Sequence, residues 1–135
     1  MQFIDTNIFI RHLTNDVPEK AQACLELFRK AQRGEVALTT TEAVIAEVVY
    51  ILSSKRLYHL PREQIRKLLF PLLSLSGLRL VNRNTYLRAL DLYATYPLDF
   101  EDAVIVAQME RQGVTDLYSY DRDFERVPGI ARVEP

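Results

Sequence analysis

The period of apolar positions changes repeatedly along the chain. Gln2 to Asp5 reads as a short strand, followed by a short helix through Ile8, Phe9 and Leu13. Asp16-Val17-Pro18-Glu19 carries a helix start, with proline in the first turn and an acid beside it; that helix runs to Arg33 and stops at Gly34. Val36-Ala37-Leu38 reads as a second strand. Thr39-Thr40-Thr41-Glu42 opens a helix continuing to about Ser54, with Thr39 and Glu42 spaced as a capping box. Pro61 begins a helix with Ile65, Leu68, Leu69 and Leu72 on one face. Leu78 to Val81 reads as a third strand, Asn84 to Tyr96 as a helix, and Asp99 to Gln112 as a helix that Gly113 ends. Leu117-Tyr118-Ser119 is a fourth strand, Arg122 to Val127 a helical turn, and Ala131 to Glu134 a fifth strand.

Strands and helices alternating in this way predict an α/β fold, with a parallel sheet covered by helices on both faces. No internal repeat or linker interrupts the pattern, so residues 1–135 are expected to form one domain. In such sheets ligands bind at the carboxyl ends of strands, near a switch in strand order.

Composition narrows the class. The chain is 48% hydrophobic and 26% charged, with four glycines and six prolines, which suits a globular domain and excludes low complexity. Cys24 is the single cysteine, so no internal disulfide and no cysteine-rich zinc site can form; its place on a helix's core face suits a buried thiol in a reducing cytoplasm. His12 and His59 lie far apart in sequence and form no ligand pair. Residues 1–4 already read as structural, so no secretory leader is expected, and no apolar run approaches the ~20 residues of a membrane span. The net charge of −1 gives no global attraction to nucleic acid, but the charge is unevenly spread. Eight Lys/Arg and one acid lie between Lys55 and Arg88; eight acids and two arginines lie between Asp99 and Glu125. That is either a solvated surface or a basic flank for a polyanion beside an acidic centre for cations.

The acids carry the candidate chemistry. Glu47 sits in AVIAEVVYIL, where every other residue is hydrophobic; a helix apolar all round is expected to be buried. Its helical neighbours Ala43, Val44, Tyr50 and Ile51 cannot neutralise it, so it is expected to line a cavity, hold a cation or pair with a distant base. Asp5 ends the first strand and Asp121 follows the fourth; each can simply cap the helical turn that comes after it. Asp99 and Asp102, three apart at the start of a helix, can serve as cap and first-turn acid, or both reach one cation. Asp123 reads as exposed. Glu42 is accounted for by capping. If strands one and four are neighbours, Asp5, Glu47, Asp102 and Asp121 converge, and converging carboxylates titrate upward or hold cations. Oxygen ligands without Cys or His favour Mg²⁺ or Mn²⁺, a combination suited to phosphodiester hydrolysis by metal-activated water.

At these residues the sequence resembles a known family. Asp5-Thr6-Asn7 after an apolar strand, AEVVYIL around Glu47, DFEDAVIVAQ around Asp102 and YSYDRDFERVPGI around Asp121 resemble, in order, the PIN-domain ribonucleases, and among them the VapC-type toxins of toxin–antitoxin pairs. The resemblance spans essentially the whole chain. It implies a single domain with a five-stranded parallel sheet in a three-layer α/β/α arrangement, and a Mg²⁺- or Mn²⁺-dependent endoribonuclease. Asp5, Glu47, Asp102 and Asp121 fall on the family's acidic quartet, with Asp5 a central ligand. Asn7 and Ser119 fall on positions that orient those acids, serine standing where the family more often has threonine. Asp99 and Asp123 are accessory acids. A cytoplasmic homodimer is implied, with a VapB-like antitoxin partner and an RNA substrate; Leu57, Tyr58 and Leu60 are candidates for an exposed apolar patch.

Other classes are open at this stage. The same acids suit a housekeeping or DNA-directed nuclease. A receiver-like phosphoacceptor also uses Mg²⁺ and strand-end aspartates but wants a lysine nearby, and none follows Lys67. In a binding module without chemistry the aspartates would be caps only.

Overall fold

A computed structural model describes residues 1–135. The elements in order are β1 (Gln2–Phe3), α1 (Thr6–Thr14), α2 (Pro18–Gln32), β2 (Leu38–Thr39), α3 (Glu42–Ser53), α4 (Arg62–Leu73), α5 (Arg83–Thr95), α6 (Phe100–Gln112), β3 (Asp116–Tyr118), a 3₁₀ turn (Arg122–Arg126) and β4 (Ala131–Val133). The chain divides into two compact units, Met1–Arg83 and Asn84–Pro135.

In the first unit β2 has a parallel neighbour on each side. Gln2 and Phe3 of β1 stand opposite Leu38 and Thr39. On the other side Leu78 alone bridges to Leu38, flanked by hydrogen bonds from Leu38 N to Gly77 O (2.8 Å) and from Arg79 N to Leu38 O (2.7 Å). Threonine hydroxyls extend this ladder beyond the strands: Thr39 Oγ1 donates to Arg79 O at 2.7 Å and Thr40 Oγ1 to Ile4 O at 2.8 Å. The Thr40 bond holds the backbone immediately before Asp5.

The helices begin and end on local signals. Pro18 opens α2, whose core face places Ala21, Cys24, Phe28 and Ala31 inside, so the lone thiol is a packing residue. Phe28 meets Phe9 of α1 with ring centroids 5.9 Å apart and His12 at 4.8 Å. Ile45, Val48 and Leu52 of α3 are buried, as are Ile65, Leu69 and Leu73 of α4. Arg83 closes the unit: its guanidinium donates to the carbonyls of Leu73 (2.6 Å), Leu75 (2.9 Å) and Leu78 (2.5 Å).

The second unit pairs β3 with β4 in parallel, Asp116, Leu117 and Tyr118 standing opposite Ala131, Arg132 and Val133. Buried Ala103, Val106 and Ala107 form the inner face of α6, and Gly113 ends that helix in the left-handed conformation at φ 68°. Arg88 of α5 grips Glu110 of α6 through two hydrogen bonds, of 2.8 and 3.0 Å.

The observed strand pairing is narrower than a five-stranded sheet. It consists of two short parallel pairs and the single Leu38–Leu78 bridge. The expected third strand shrinks to one residue because Val81 and Asn82 already turn into α5. The cap of α3 also differs from expectation. Thr41, not Thr39, is the N-cap, its hydroxyl accepting from Val44 N at 3.2 Å. Thr39 is unavailable because the ladder uses its hydroxyl. Thr41→Ala should therefore lower stability by about 1 kcal/mol, the usual worth of such a cap. Chemical denaturation checks this, and an unchanged midpoint would remove Thr41 from that role.

Candidate active site

In the first unit Asp5 and Glu47 are both tied to the first turn of α1. Asp5 is its N-cap; Oδ1 accepts from Asn7 N at 3.1 Å and Ile8 N at 3.4 Å. Thr6, the next residue, donates its hydroxyl to Glu47 Oε2 at 2.7 Å. Asn7 thus meets Asp5 through its backbone N–H. Glu47 corrects the expectation of a buried carboxylate. The helix is not apolar all round in space: Ile45, Val48, Val49 and Leu52 face the core, while Glu42, Ala43, Glu47 and Tyr50 are exposed. The apolar residues flanking Glu47 in sequence hide an amphipathic helix whose outer face carries this carboxylate. Asp5 also borders a cleft of about 670 Å³ within this unit, with Lys30, Thr40 and Thr41 on its wall.

In the second unit Asp99, Asp102, Asp121 and Asp123 come together. Asp99 caps α6, its Oδ1 accepting from Asp102 N at 2.8 Å. Asp121 caps the 3₁₀ turn, its Oδ1 accepting from Asp123 N at 2.9 Å. Ser119 sits one step earlier and fixes Asp121 by accepting its backbone N–H at 3.0 Å. Asp123 is half-buried rather than exposed. The Asp102 carboxyl is pushed up from 3.8 to about 6, first by loss of water on burial and then by the negative charges of Asp99, Asp121, Glu101 and Asp123. Each of those four neighbouring charges belongs to an acid.

Capping and ligation turn out to be compatible. Asp5, Asp99 and Asp121 each cap through Oδ1, and each keeps Oδ2 clear of those bonds. Glu47 likewise commits Oε2 and keeps Oε1. A carboxylate has about four acceptor sites, so one capping bond leaves it able to take a cation.

With this geometry in view, comparison with known proteins is decisive for the family: the PIN domain family matches residues 3–130. The chain belongs to the PIN domain family. PIN domains are generally nucleases, and they usually depend on divalent metals such as Mg²⁺. A search of the curated proteins returns no match.

The donors present suit the PIN metal. They are hard carboxylate oxygens, and Asp102 lies among negative charges that a cation would relieve. Within neither unit do three carboxyl, imidazole or thiol groups gather tightly enough to hold a metal ion by themselves. Mg²⁺ does not require that: it keeps several waters and binds through one or two carboxylates plus substrate phosphates.

The basic stretch from Lys55 to Arg88 is partly structural in this PIN chain. Arg83 is spent on three carbonyls, Arg88 on Glu110, and Arg66 lies over the Phe70 ring at 4.9 Å. Of the expected apolar patch, Leu57 is exposed, while Tyr58 is half-buried with its hydroxyl donated to Asp16 Oδ2 at 2.8 Å. No helix is long and apolar enough to cross a membrane. Sequence reasoning passed over two contacts that shape the site: the Thr6 hydroxyl on Glu47, and Thr40 holding the Ile4 carbonyl. Their only trace in the sequence is that Thr6 directly follows Asp5 and Thr40 directly follows the second strand.

Proposed function

We propose that this PIN domain, spanning residues 1–135, is a Mg²⁺- or Mn²⁺-dependent endoribonuclease. The observation that supports the reading is the gathering of acids around Asp102, whose carboxyl is raised first by burial and then by the charges of Asp99, Asp121, Glu101 and Asp123. Asp5, Glu47, Asp102 and Asp121 would hold the ion, with Asp99 and Asp123 as accessory acids. Once bound, such an ion acidifies water and neutralises phosphate charge. The chain's own part is positioning. Asn7 N–H and Thr6 Oγ1 hold one oxygen each of Asp5 and Glu47, and Ser119 holds the backbone of Asp121. Hydrolysis forms a bond from the water oxygen to phosphorus and breaks one P–O ester bond; one proton of the water passes to the solvent and the leaving oxygen takes a proton from the solvent in return.

The finer parts of the proposal rest on the order of the four sequence blocks. They are a five-stranded parallel sheet uniting all the strand segments, a VapC-type toxin role in the cytoplasm, a homodimer, and a VapB-like antitoxin partner. The lone buried Cys24 suits a reducing compartment.

Purified protein is expected to cleave single-stranded RNA with Mg²⁺ or Mn²⁺, to stop with EDTA, and to lose cleavage in Asp5→Asn without unfolding. Equal cleavage by Asp5→Asn would sink the reading. Duplex RNA and DNA run alongside would separate a ribonuclease from a DNA-directed enzyme. One observation favours a second reading: Asp5, Asp99 and Asp121 all cap helical turns. If capping is their whole purpose, the chain takes up no Mn²⁺ and its melting temperature does not respond to the ion.

A further inference from the structure

Threonine hydroxyls inside helices ordinarily fold back on a carbonyl one turn earlier. Two threonines here do so: Thr14 Oγ1 donates to Ile10 O and Thr95 Oγ1 to Asp91 O, each at 2.8 Å. Thr6 is different. It is the first residue of α1, with no earlier turn in its helix, and its hydroxyl goes to Glu47 Oε2 at 2.7 Å, 41 residues away in sequence. The bond is short and charge-assisted, and it comes from a side chain only 9% exposed. Its β-branched side chain has few χ1 states to choose among, so little freedom is lost in making the bond.

Glu47 needs such a hold. Its own helix offers Ala43, Val44, Tyr50 and Ile51 at neighbouring turns, none of them a base, and it stands on an exposed face. A glutamate there would sample many rotamers. Thr6 directly follows Asp5, whose carboxylate is pinned by the same first turn through Asn7 and Ile8. One turn of α1 thus sets two acids at once, leaving Oδ2 of Asp5 and Oε1 of Glu47 outside these bonds.

We infer that Thr6 is a positioning residue: its hydroxyl locks Glu47 into the orientation in which it serves the metal-dependent nuclease. This rests on the nuclease reading above. The test uses the full chain with Thr6→Val, which keeps the branched shape without the hydroxyl, Thr6→Ser, which keeps the hydroxyl, and Glu47→Gln. Mn²⁺ binding is followed by electron paramagnetic resonance, and kcat and KM are measured on single-stranded RNA. Loss of a group that orients a metal ligand typically costs about 10- to 100-fold, so Thr6→Val should weaken Mn²⁺ binding and lower kcat by about 10-fold while KM holds. Thr6→Ser should recover both. In a Glu47→Gln background, Thr6→Val should add nothing further, because the two act through one contact.

Thr6→Val with unchanged Mn²⁺ affinity and kcat, beside an impaired Glu47→Gln, would overturn the inference while leaving the nuclease standing. Independent, multiplying losses in the double variant would overturn it too. A wild-type chain that neither binds Mn²⁺ nor cleaves RNA would instead remove the nuclease reading, and this inference with it. Should Thr6→Val fail a circular dichroism melt, Thr6→Ala takes its place in the same cycle.

Discussion

Asp102→Asn is expected to abolish RNA cleavage and, in metal-free protein at neutral pH, to make the fold more stable. The two effects share one cause. The Asp102 carboxyl is raised from 3.8 to about 6 by burial and by Asp99, Asp121, Glu101 and Asp123. Ionising it in the folded state is therefore harder than in the unfolded chain. That difference would correspond to about 3 kcal/mol unscreened. The group is partly open to water, and screening reduces this to about 1 kcal/mol. Asparagine escapes the penalty. It also forfeits a favourable charge at the start of α6, but that term is worth only a few tenths of a kcal/mol at an exposed helix end.

The pH dependence follows from the direction of the shift. Well below pH 3.8 the carboxyl is protonated in both states and contributes no difference. Between 3.8 and about 6 the folded chain holds a proton that the unfolded chain has lost, so wild-type stability falls as pH rises. Above about 6 the penalty is complete. The advantage of Asp102→Asn should thus be absent near pH 4 and full at pH 7, where about 1 kcal/mol amounts to roughly 4 °C in Tm. Mg²⁺ should reverse the ranking by stabilising the wild type alone, by about 2.7 kcal/mol at a hundred times its Kd. Cleavage should fall by at least roughly 100-fold, the upper end for loss of a mere supporting group. Melting curves across pH with and without Mg²⁺, and one cleavage assay, check all of this. A variant destabilised at pH 7 without metal, or one that cleaves like wild type, would contradict the account of Asp102.

Gly77→Ala is expected to give the largest loss of stability. Gly77 lies in the turn before Leu78, and its carbonyl accepts the Leu38 N–H at 2.8 Å. Its Cα rests on the backbone of α2. A Cβ there would collide with the Ala31 carbonyl oxygen and lie 2.5 Å from its carbon and 2.8 Å from its Cα. Backbone atoms cannot rotate aside as a side-chain tip can. Either α2 moves away, or Gly77 withdraws and breaks the bridge that adds Leu78 to β2. Overpacking of this kind costs about 3 kcal/mol, a large part of the roughly 5–15 kcal/mol that holds a domain together. Tm should drop by roughly 10 °C. Gly34 is the control: it is left-handed at φ 78°, but nothing lies within 4 Å of its added Cβ. Gly34→Ala should cost only about 1–2 kcal/mol of backbone strain. Equal denaturation midpoints for the two variants would show that the α2 contact yields easily.

The helices were legible because their signals are local. Pro18 at the head of α2, Gly34 after it, Asp99 before α6 and Gly113 behind it act within a turn of their own position, and each helix lies where those residues put it. The capping threonine was not legible. Thr39, Thr40 and Thr41 carry the same hydroxyl, and which is left over for α3 depends on carbonyls at Arg79 and Ile4, dozens of residues away. The exposure of Glu47 was misread for a related reason. Composition around it suggested burial on every side, but exposure depends on which face of α3 meets α1 and α4.

What the sequence determined alone was the family, the order of the elements and the identity of the acids at strand and helix ends. Those are properties of residue type and short spacing. Only the tertiary structure decided how each acid is held. It showed Asp5, Asp99 and Asp121 capping with one oxygen, Glu47 bound by the Thr6 hydroxyl, and Asp102 raised by neighbours from another element. Hydrogen bonds reach about 3 Å and burial depends on packing across the chain, so both are set by distance in space.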